Sequence, residues 1–313
     1  MVQVEAGSPQ GSVISPLLFL ILVADLEEWA GDGVQVIGYA DDTSVYIIAE
    51  SKKLVRRGLE RAAKNIFQFM EAARLSVNPT KTNFVYFSGR GEEPLQVGGI
   101  TIEESREETL LGITFGKRLT WKQHMDKIEP KLEKRIGLLK RLRMKLPSEV
   151  LKKMIDPLFN SKMRYAIELT TNVLNHQDKI LLRLHGLHRG AMKAVLGLGR
   201  HSHPPDNELY SCTGQASVWQ MALEATASLA WKCGGDWENH PLALGRLEGH
   251  HSGRQTRQST QRAFPPQPVK ESLLSRVVEI WEKLPENIKQ EKDKEVVKSK
   301  IKTWSLSVEK DSI

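Results

Sequence analysis

Val34-Gln35-Val36-Ile37-Gly38-Tyr39-Ala40-Asp41-Asp42-Thr43-Ser44-Val45-Tyr46-Ile47-Ile48 decides the reading of this chain. β-Branched and aromatic residues lie on both sides of a short polar centre, which is the signal of a β-hairpin. Asp is a natural turn former, so the centre reads at minimum as a solvated turn. Two adjacent carboxylates on a rigid tip can do more. Hard oxygen ligands hold Mg²⁺ while leaving positions for substrate phosphates and water.

Upstream, Ser15 is placed to cap a helix with Pro16 at its first position. Leu17 to Val23 then run apolar without a break, closed by Glu27, Glu28 and Gly31. A helix that is apolar on every face is expected to be buried. Before it, Gly7-Ser8-Pro9-Gln10-Gly11-Ser12 combines two glycines and a proline, a backbone that another molecule can approach closely.

Taken in order, GSPQGSVISPLLF, YADD, NPTKTNFVYFSG and LLGITFGKRLTWKQHM resemble the later palm motifs of reverse transcriptases, in particular the non-LTR, LINE-type retrotransposon group. The resemblance is clear over about residues 7 to 165. It implies an RNA-directed DNA polymerase, a nucleotidyltransferase that joins a deoxynucleotide to a primer 3′-hydroxyl and releases pyrophosphate. Its partners are an RNA template, a DNA primer, the RNA–DNA duplex and deoxynucleoside triphosphates; its cofactor is a pair of Mg²⁺ ions, with Mn²⁺ as the substitute.

Residue by residue, the resemblance makes Asp41 a direct metal ligand and Asp42 its acidic neighbour, with Tyr39 near the primer end. Gly7, Ser8, Pro9, Gln10 and Gly11 correspond to the segment lining the nucleotide and template pocket. Asn78 and Lys81 match the next motif, where the lysine lies near the departing pyrophosphate and serves as a proton donor. A lysine is a compact charge with three donors, suited to that place and equally at home in solvent. Leu111, Gly112 and Ile113 match the hairpin that grips the primer.

The family also uses a third carboxylate, several tens of residues before the Gly-Ser-Pro-Gln segment, and fingers that cover the nucleotide. Glu5 is too close to that segment to substitute. Two adjacent acids are a poor cage for two dications, because Mg²⁺ dehydrates reluctantly. The expectation is that this polypeptide is inactive alone and that an upstream polymerase half is a further partner. The hairpin is also expected to expose an edge and an apolar face.

With 313 residues, the chain can hold more than one domain. Its formal charge of +7 matters less than its distribution. Between Lys117 and Arg164, fifteen Lys and Arg face five acids, a local +10. There Ile128, Leu132, Ile136, Leu139 and Leu142 recur at helical spacing, so a helix with a basic outer face is expected, followed by a second from Pro147. These read as a thumb lying along duplex phosphates, or as a solvated or membrane-adsorbing basic face. Leu181 to Gly199 gives another basic amphipathic helix, and Leu273 to Trp281 and Val296 to Trp304 give two more. Trp281-Glu282-Lys283-Leu284-Pro285 resembles a Trp-x-x-Leu-Pro tail of LINE-type chains.

The fold class expected is α+β, a truncated palm followed by a mainly helical thumb and tail. The expected divisions are 1–116 palm with primer-grip hairpin, 117–200 thumb and connection, 201–248 further connection, 249–268 linker and 269–313 tail. The linker rests on a run of Gly, Ser, Arg, Gln and Pro almost without apolar residues. Two cysteines, Cys212 and Cys233, make no disulfide framework, which fits a reducing interior, cytoplasm or nucleus. His201, His203, His240, His250 and His251 with these cysteines lack the paired spacing of structural zinc ligands. No apolar run reaches the roughly twenty residues that span a bilayer, so no membrane partner is expected. Two competing readings stay open: a nucleic-acid-binding protein without catalysis, and the remnant of a decayed element.

Overall fold

A computed structural model describes residues 11–87, 93–175, 177–199, 201–234 and 272–309. The chain is mixed α and β and divides into two compact units. The first comprises residues 1–109 and 116–119, the second residues 110–115 and 120–313.

The first unit begins with α1 (Ser15–Leu22) and α2 (Leu26–Ala30). Contrary to the expected single buried helix, the two are separate and α1 buries no residue, with Leu20 59% and Ile21 65% exposed. Being apolar on all faces makes burial favourable, yet burial needs a second surface, and none of the described elements supplies one to α1. Ile14, not Ser15, is its N-cap, and no side chain caps it. Gly31, with φ 96°, ends α2 in a conformation that favours glycine.

The hairpin expected from the sequence is present. β1 (Val34–Tyr39) and β2 (Asp42–Ile47) are antiparallel, with Val34 opposite Ile47 and Tyr39 opposite Asp42. Period-two alternation sends Val34, Val36, Val45 and Ile47 to one face. That face packs on α3 (Lys52–Ala72) through Ala62, Ile66 and Phe69. Ser51 starts α3 by accepting a hydrogen bond from the Leu54 amide. Gly58 lets the hairpin lie close, since a Cβ there would stand 2.9 Å from Ile47 Cδ1. The outer face, with Ile37, Tyr39 and Tyr46, is exposed, as expected.

A second face of α3, Leu59, Ala63 and Phe67, packs on a small three-stranded sheet of order β3-β5-β4. β3 (Asn83–Phe84) runs parallel to β5 (Ile100–Glu104), and β4 (Leu95–Val97) antiparallel to it. A further hairpin, β6 (Glu107–Leu110) with β7 (Ile113–Gly116), follows.

The second unit is helical. α4 (Lys122–Arg143) packs on α8 (Lys179–Leu196), with Arg183 bonded to Asp126 at 3.1 Å and paired with Glu129. Between them run α5 (Ser148–Ile155), a π turn at Asp156–Asn160, α6 (Ser161–Met163) and α7 (Ile167–Thr170). α9 (Asp206–Thr213) and α10 (Val218–Cys233) follow, the latter opened by a capping box of Ser217 and Gln220. The expected second basic helix therefore starts at Ser148, with Pro147 as its N-cap.

The tail belongs to this core. α11 (Leu273–Lys283), α12 (Glu286–Lys289) and α13 (Lys294–Ser307) bury Val277, Ile280, Leu284, Ile288, Val297 and Ile301 in the same cluster as α4, α8 and α10. The buried guanidinium of Arg276 donates to the carbonyls of Thr171 and Leu169. Trp231 Nε1 donates to Glu291 O at 3.2 Å. The Trp-x-x-Leu-Pro segment is a helix end: Leu284 is buried, and Pro285 caps α12. The 249–268 linker lies outside the described residues.

Candidate functional site

Ala40 and Asp41 form the two-residue loop of the first hairpin, with Ala40 at φ 53°, and Asp42 opens β2. Short hairpin loops need positive φ because only then does the loop twist match the strands. The register places Asp42 directly opposite Tyr39, so both point to the outer face of the hairpin. Tyr39 is 62% exposed, and both carboxylates are exposed without a hydrogen-bond or ion-pair partner among the described residues. The hairpin brings three of the residues expected from the sequence, Tyr39, Asp41 and Asp42, together at one tip. Of the pocket segment, Gly11 is described, at φ 87°, while Gly7, Ser8, Pro9 and Gln10 lie outside the described residues.

Asn78 and Lys81 sit on a turn of 3-10 helix at Pro79–Lys81. Asn78 Oδ1 accepts from the Thr80 amide at 3.1 Å and the Thr80 hydroxyl at 2.8 Å, while Thr82 Oγ1 donates to its carbonyl at 2.9 Å. The Asn is thus the cap that shapes this turn. Lys81 is exposed on it.

A divalent ion needs more than the hairpin tip offers. Asp41 and Asp42 are the right donor chemistry, but no group of three His, Cys, Asp or Glu side chains able to hold a metal ion occurs among the described residues. Two carboxylates fit as part of a cage. His240, His250 and His251 lie outside the described residues, and Cys212 and Cys233 are free thiols.

Leu111, Gly112 and Ile113 belong to the helical unit. Leu111 (φ 49°) and Gly112 (φ 78°) form the tip of the β6–β7 hairpin. The Tyr165 hydroxyl donates to Leu111 O, and a Cβ on Gly112 would lie 3.7 Å from Tyr165 Cε1. The amide of Thr114 donates to His124 Nδ1 at 3.2 Å. Burial holds His124 below its usual pKa, and the nearby Lys162, Lys127 and Lys131 add to this, so the ring stays neutral and keeps an acceptor nitrogen. Neither Tyr165 nor His124 was singled out from the sequence. His124 falls inside the fourth motif, but its partner ten residues upstream becomes visible only in the fold.

Along α4, Lys127, Lys131, Lys134 and Arg141 recur at helical spacing and are all exposed, and Lys145 just beyond its end is exposed too. The acids Asp126 and Glu129 are drawn to the α8 side by Arg183. No helix among the described residues is long and apolar enough to cross a membrane.

Residues 2–115 match the family described as reverse transcriptase (RNA-dependent DNA polymerase). The chain is 30% identical over 134 residues to the RNA-directed DNA polymerase from mobile element jockey of Drosophila melanogaster, a match covering 40% of this chain and 15% of the relative. It is 30% identical over 131 residues to the probable RNA-directed DNA polymerase from transposon BS of the same species, covering 39% of this chain and 14% of the relative. It is 25% identical over 142 residues to the corresponding protein of transposon X-element, covering 43% and 15%. The matched stretch thus spans about 15% of the length of these relatives. No solved structure matches. Residues 2–115 are thus similar to reverse transcriptases, and the relatives matched are RNA-directed DNA polymerases of mobile elements and transposons.

Proposed function

We propose that this chain is the back part of a LINE-type RNA-directed DNA polymerase, extending a DNA primer on an RNA template when its missing residues are supplied. The observation that carries this is the Tyr39-Ala40-Asp41-Asp42 tip, two unpaired carboxylates on a rigid two-residue hairpin within a reverse transcriptase match.

In this reading the first unit is the palm remnant, the helices from Lys122 are the thumb and connection, and residues 272–309 are the tail. Asp41 and Asp42 hold part of the metal cage, and the remaining carboxylate comes from an upstream polymerase half. Mg²⁺ bound there supplies activation of the primer 3′-hydroxyl and stabilisation of the leaving pyrophosphate. Tyr39 flanks the primer end. Lys81, held out by the Asn78-capped turn, lies by the pyrophosphate and donates a proton to it. Gly7 to Gly11 line the nucleotide and template pocket, and Leu111 to Ile113 hold the primer. The α4 stripe binds phosphates of the RNA–DNA duplex, a contact that positions without reading sequence. The cytoplasm or nucleus, where template, primer and nucleotides meet, is the place of action.

Because two carboxylates leave the cage open, the 313-residue polypeptide alone is inactive. The test is Mg²⁺-dependent primer extension by this chain, alone and mixed with a polypeptide carrying the upstream half. Extension in the mixture only, abolished by Asp41→Asn, supports the proposal. Extension by the chain alone overturns the inactivity, and none in any mixture overturns the polymerase reading.

A second reading, duplex binding without catalysis, is favoured by the exposed basic stripe on α4. It predicts affinity that falls steeply with salt for any sequence. Affinity unchanged between low and moderate salt would remove α4 as the binding surface.

A further inference from the structure

The β6–β7 tip is strained and held at several points. Leu111 adopts the left-handed conformation that favours Gly, Asn or Asp, and its neighbour Gly112 does the same. A branched side chain in that conformation persists where surrounding contacts over-determine it. Here Tyr165 takes the Leu111 carbonyl and covers Gly112, buried His124 takes the amide of the buried Thr114, and Phe115 packs against Trp121 with ring centroids 5.5 Å apart. The Lys162 ammonium stands 5.8 Å from the centre of the Tyr165 ring, adding a cation–π contact. Despite these ties the Leu111 side chain itself is 44% exposed. The backbone is fixed and the side chain is displayed.

We infer that Tyr165 and His124 are positioning residues that lock the Leu111–Gly112 tip, so that Leu111 presents an apolar surface to the terminal base pair of a bound primer duplex. This rests on the polymerase reading of the chain. An asparagine or glycine at position 111 would satisfy the turn without strain. The Leu is therefore explained by what it touches outside the turn. A terminal base pair exposes one flat apolar face, which a fixed aliphatic side chain can cover.

The tip is assigned to the helical unit, so the register of the primer end follows the helices that hold the duplex phosphates. Tyr165 acts through the Leu111 carbonyl, and His124 through the Thr114 amide. Neither touches the primer.

The test uses the full chain and an RNA–DNA duplex carrying 2-aminopurine at the primer 3′ end. Duplex affinity is measured by anisotropy of a distal label, and terminal stacking by 2-aminopurine fluorescence. Tyr165→Phe keeps the ring and loses the hydroxyl. It is expected to leave affinity within about two-fold, because the phosphate contacts are untouched. The terminal signal should fall to about half or less as the Leu111 carbonyl is released. Leu111→Gly should lose the terminal signal fully. His124→Ala should weaken the signal, and His124→Gln, which retains an acceptor, should restore it.

Unchanged terminal fluorescence in both Tyr165→Phe and Leu111→Gly overturns the inference and leaves duplex binding standing. Absence of duplex binding by the unaltered chain overturns the inference and also its premise. Thermal melting of each variant separates a lost tether from a lost fold; should Tyr165→Phe fail to fold, Leu111→Gly decides.

Discussion

The two units solve the same problem to different extents. Among the described residues, the helical unit gathers thirty buried side chains into one cluster spanning residues 125 to 301, whereas the first unit divides its core into clusters of six and four around α3. The first unit also buries no residue of α1 and leaves Ile37, Tyr39 and Tyr46 on the outer face of the YADD hairpin exposed. Apolar burial is the main favourable term in folding, so among the described residues the larger share of it falls in the helical unit. The part that carries the recognisable chemistry is the part that lacks a closed core. Exposed apolar patches of this extent mark surfaces that bind something or aggregate.

Four experiments break or sharpen that contrast. Phe159→Ala, at a fully buried position of the helical core, should destabilise that unit by about 3–5 kcal/mol in urea unfolding. A cost below about 1 kcal/mol would mean the core is loose.

Acid should act on the same core through His188. Its ring is fully buried, stacked on Phe159 and Tyr210 at 6.1 Å each, and neither nitrogen has a hydrogen-bond partner among the described residues. Burial first, then the neighbouring His185, depresses its pKa to about 4, while Asp156 opposes the shift. The unfolded chain thus binds this proton more readily than the folded one. Stability is complete above the unfolded value of 6.5 and is lost as pH falls from there to about 4. The loss is about 3 kcal/mol. His188→Phe keeps the stack and should flatten the change in melting temperature across that window. A slope unchanged by the substitution would refute the assignment to His188.

Arg276→Met should cost about 2 kcal/mol by leaving the Thr171 and Leu169 carbonyls without their donor. Proteolysis should then release the tail earlier than in the unaltered chain. A tail equally protected would show that its apolar face alone holds it.

The smallest effect belongs to the first unit. Ile21→Lys, on exposed α1, should change stability by no more than about 0.5 kcal/mol and reduce self-association in sedimentation. A loss of several kcal/mol would place α1 in a core after all.

Local order was legible from sequence wherever a short-range rule applies. Alternation around Ala40 and Asp41 predicts the hairpin and puts both carboxylates at its tip. Helical periodicity predicts α4, α8, α11 and α13 within a few residues of their observed ends. The same rules mistook α1, because amphipathicity tells which face prefers burial and a uniformly apolar helix has no face to choose. They also passed over Asn78 as a cap, although an Asn directly before Pro79 carries that signal.

What the amino-acid order determined alone is chemistry and local conformation: the paired acids, the turn that displays them, the basic stripe and the likeness of residues 2–115 to reverse transcriptases. Only the tertiary structure decided which of these elements have partners. It attached the Leu111–Gly112 tip to Tyr165 and His124 and tied the tail to the Leu169 and Thr171 carbonyls at the end of α7 through Arg276, contacts that join residues 10 to 107 positions apart. It left α1 bare. Hydrogen bonding in a hairpin or helix is set within a few residues, but burial is a property of two surfaces, and the second surface is chosen by the whole fold.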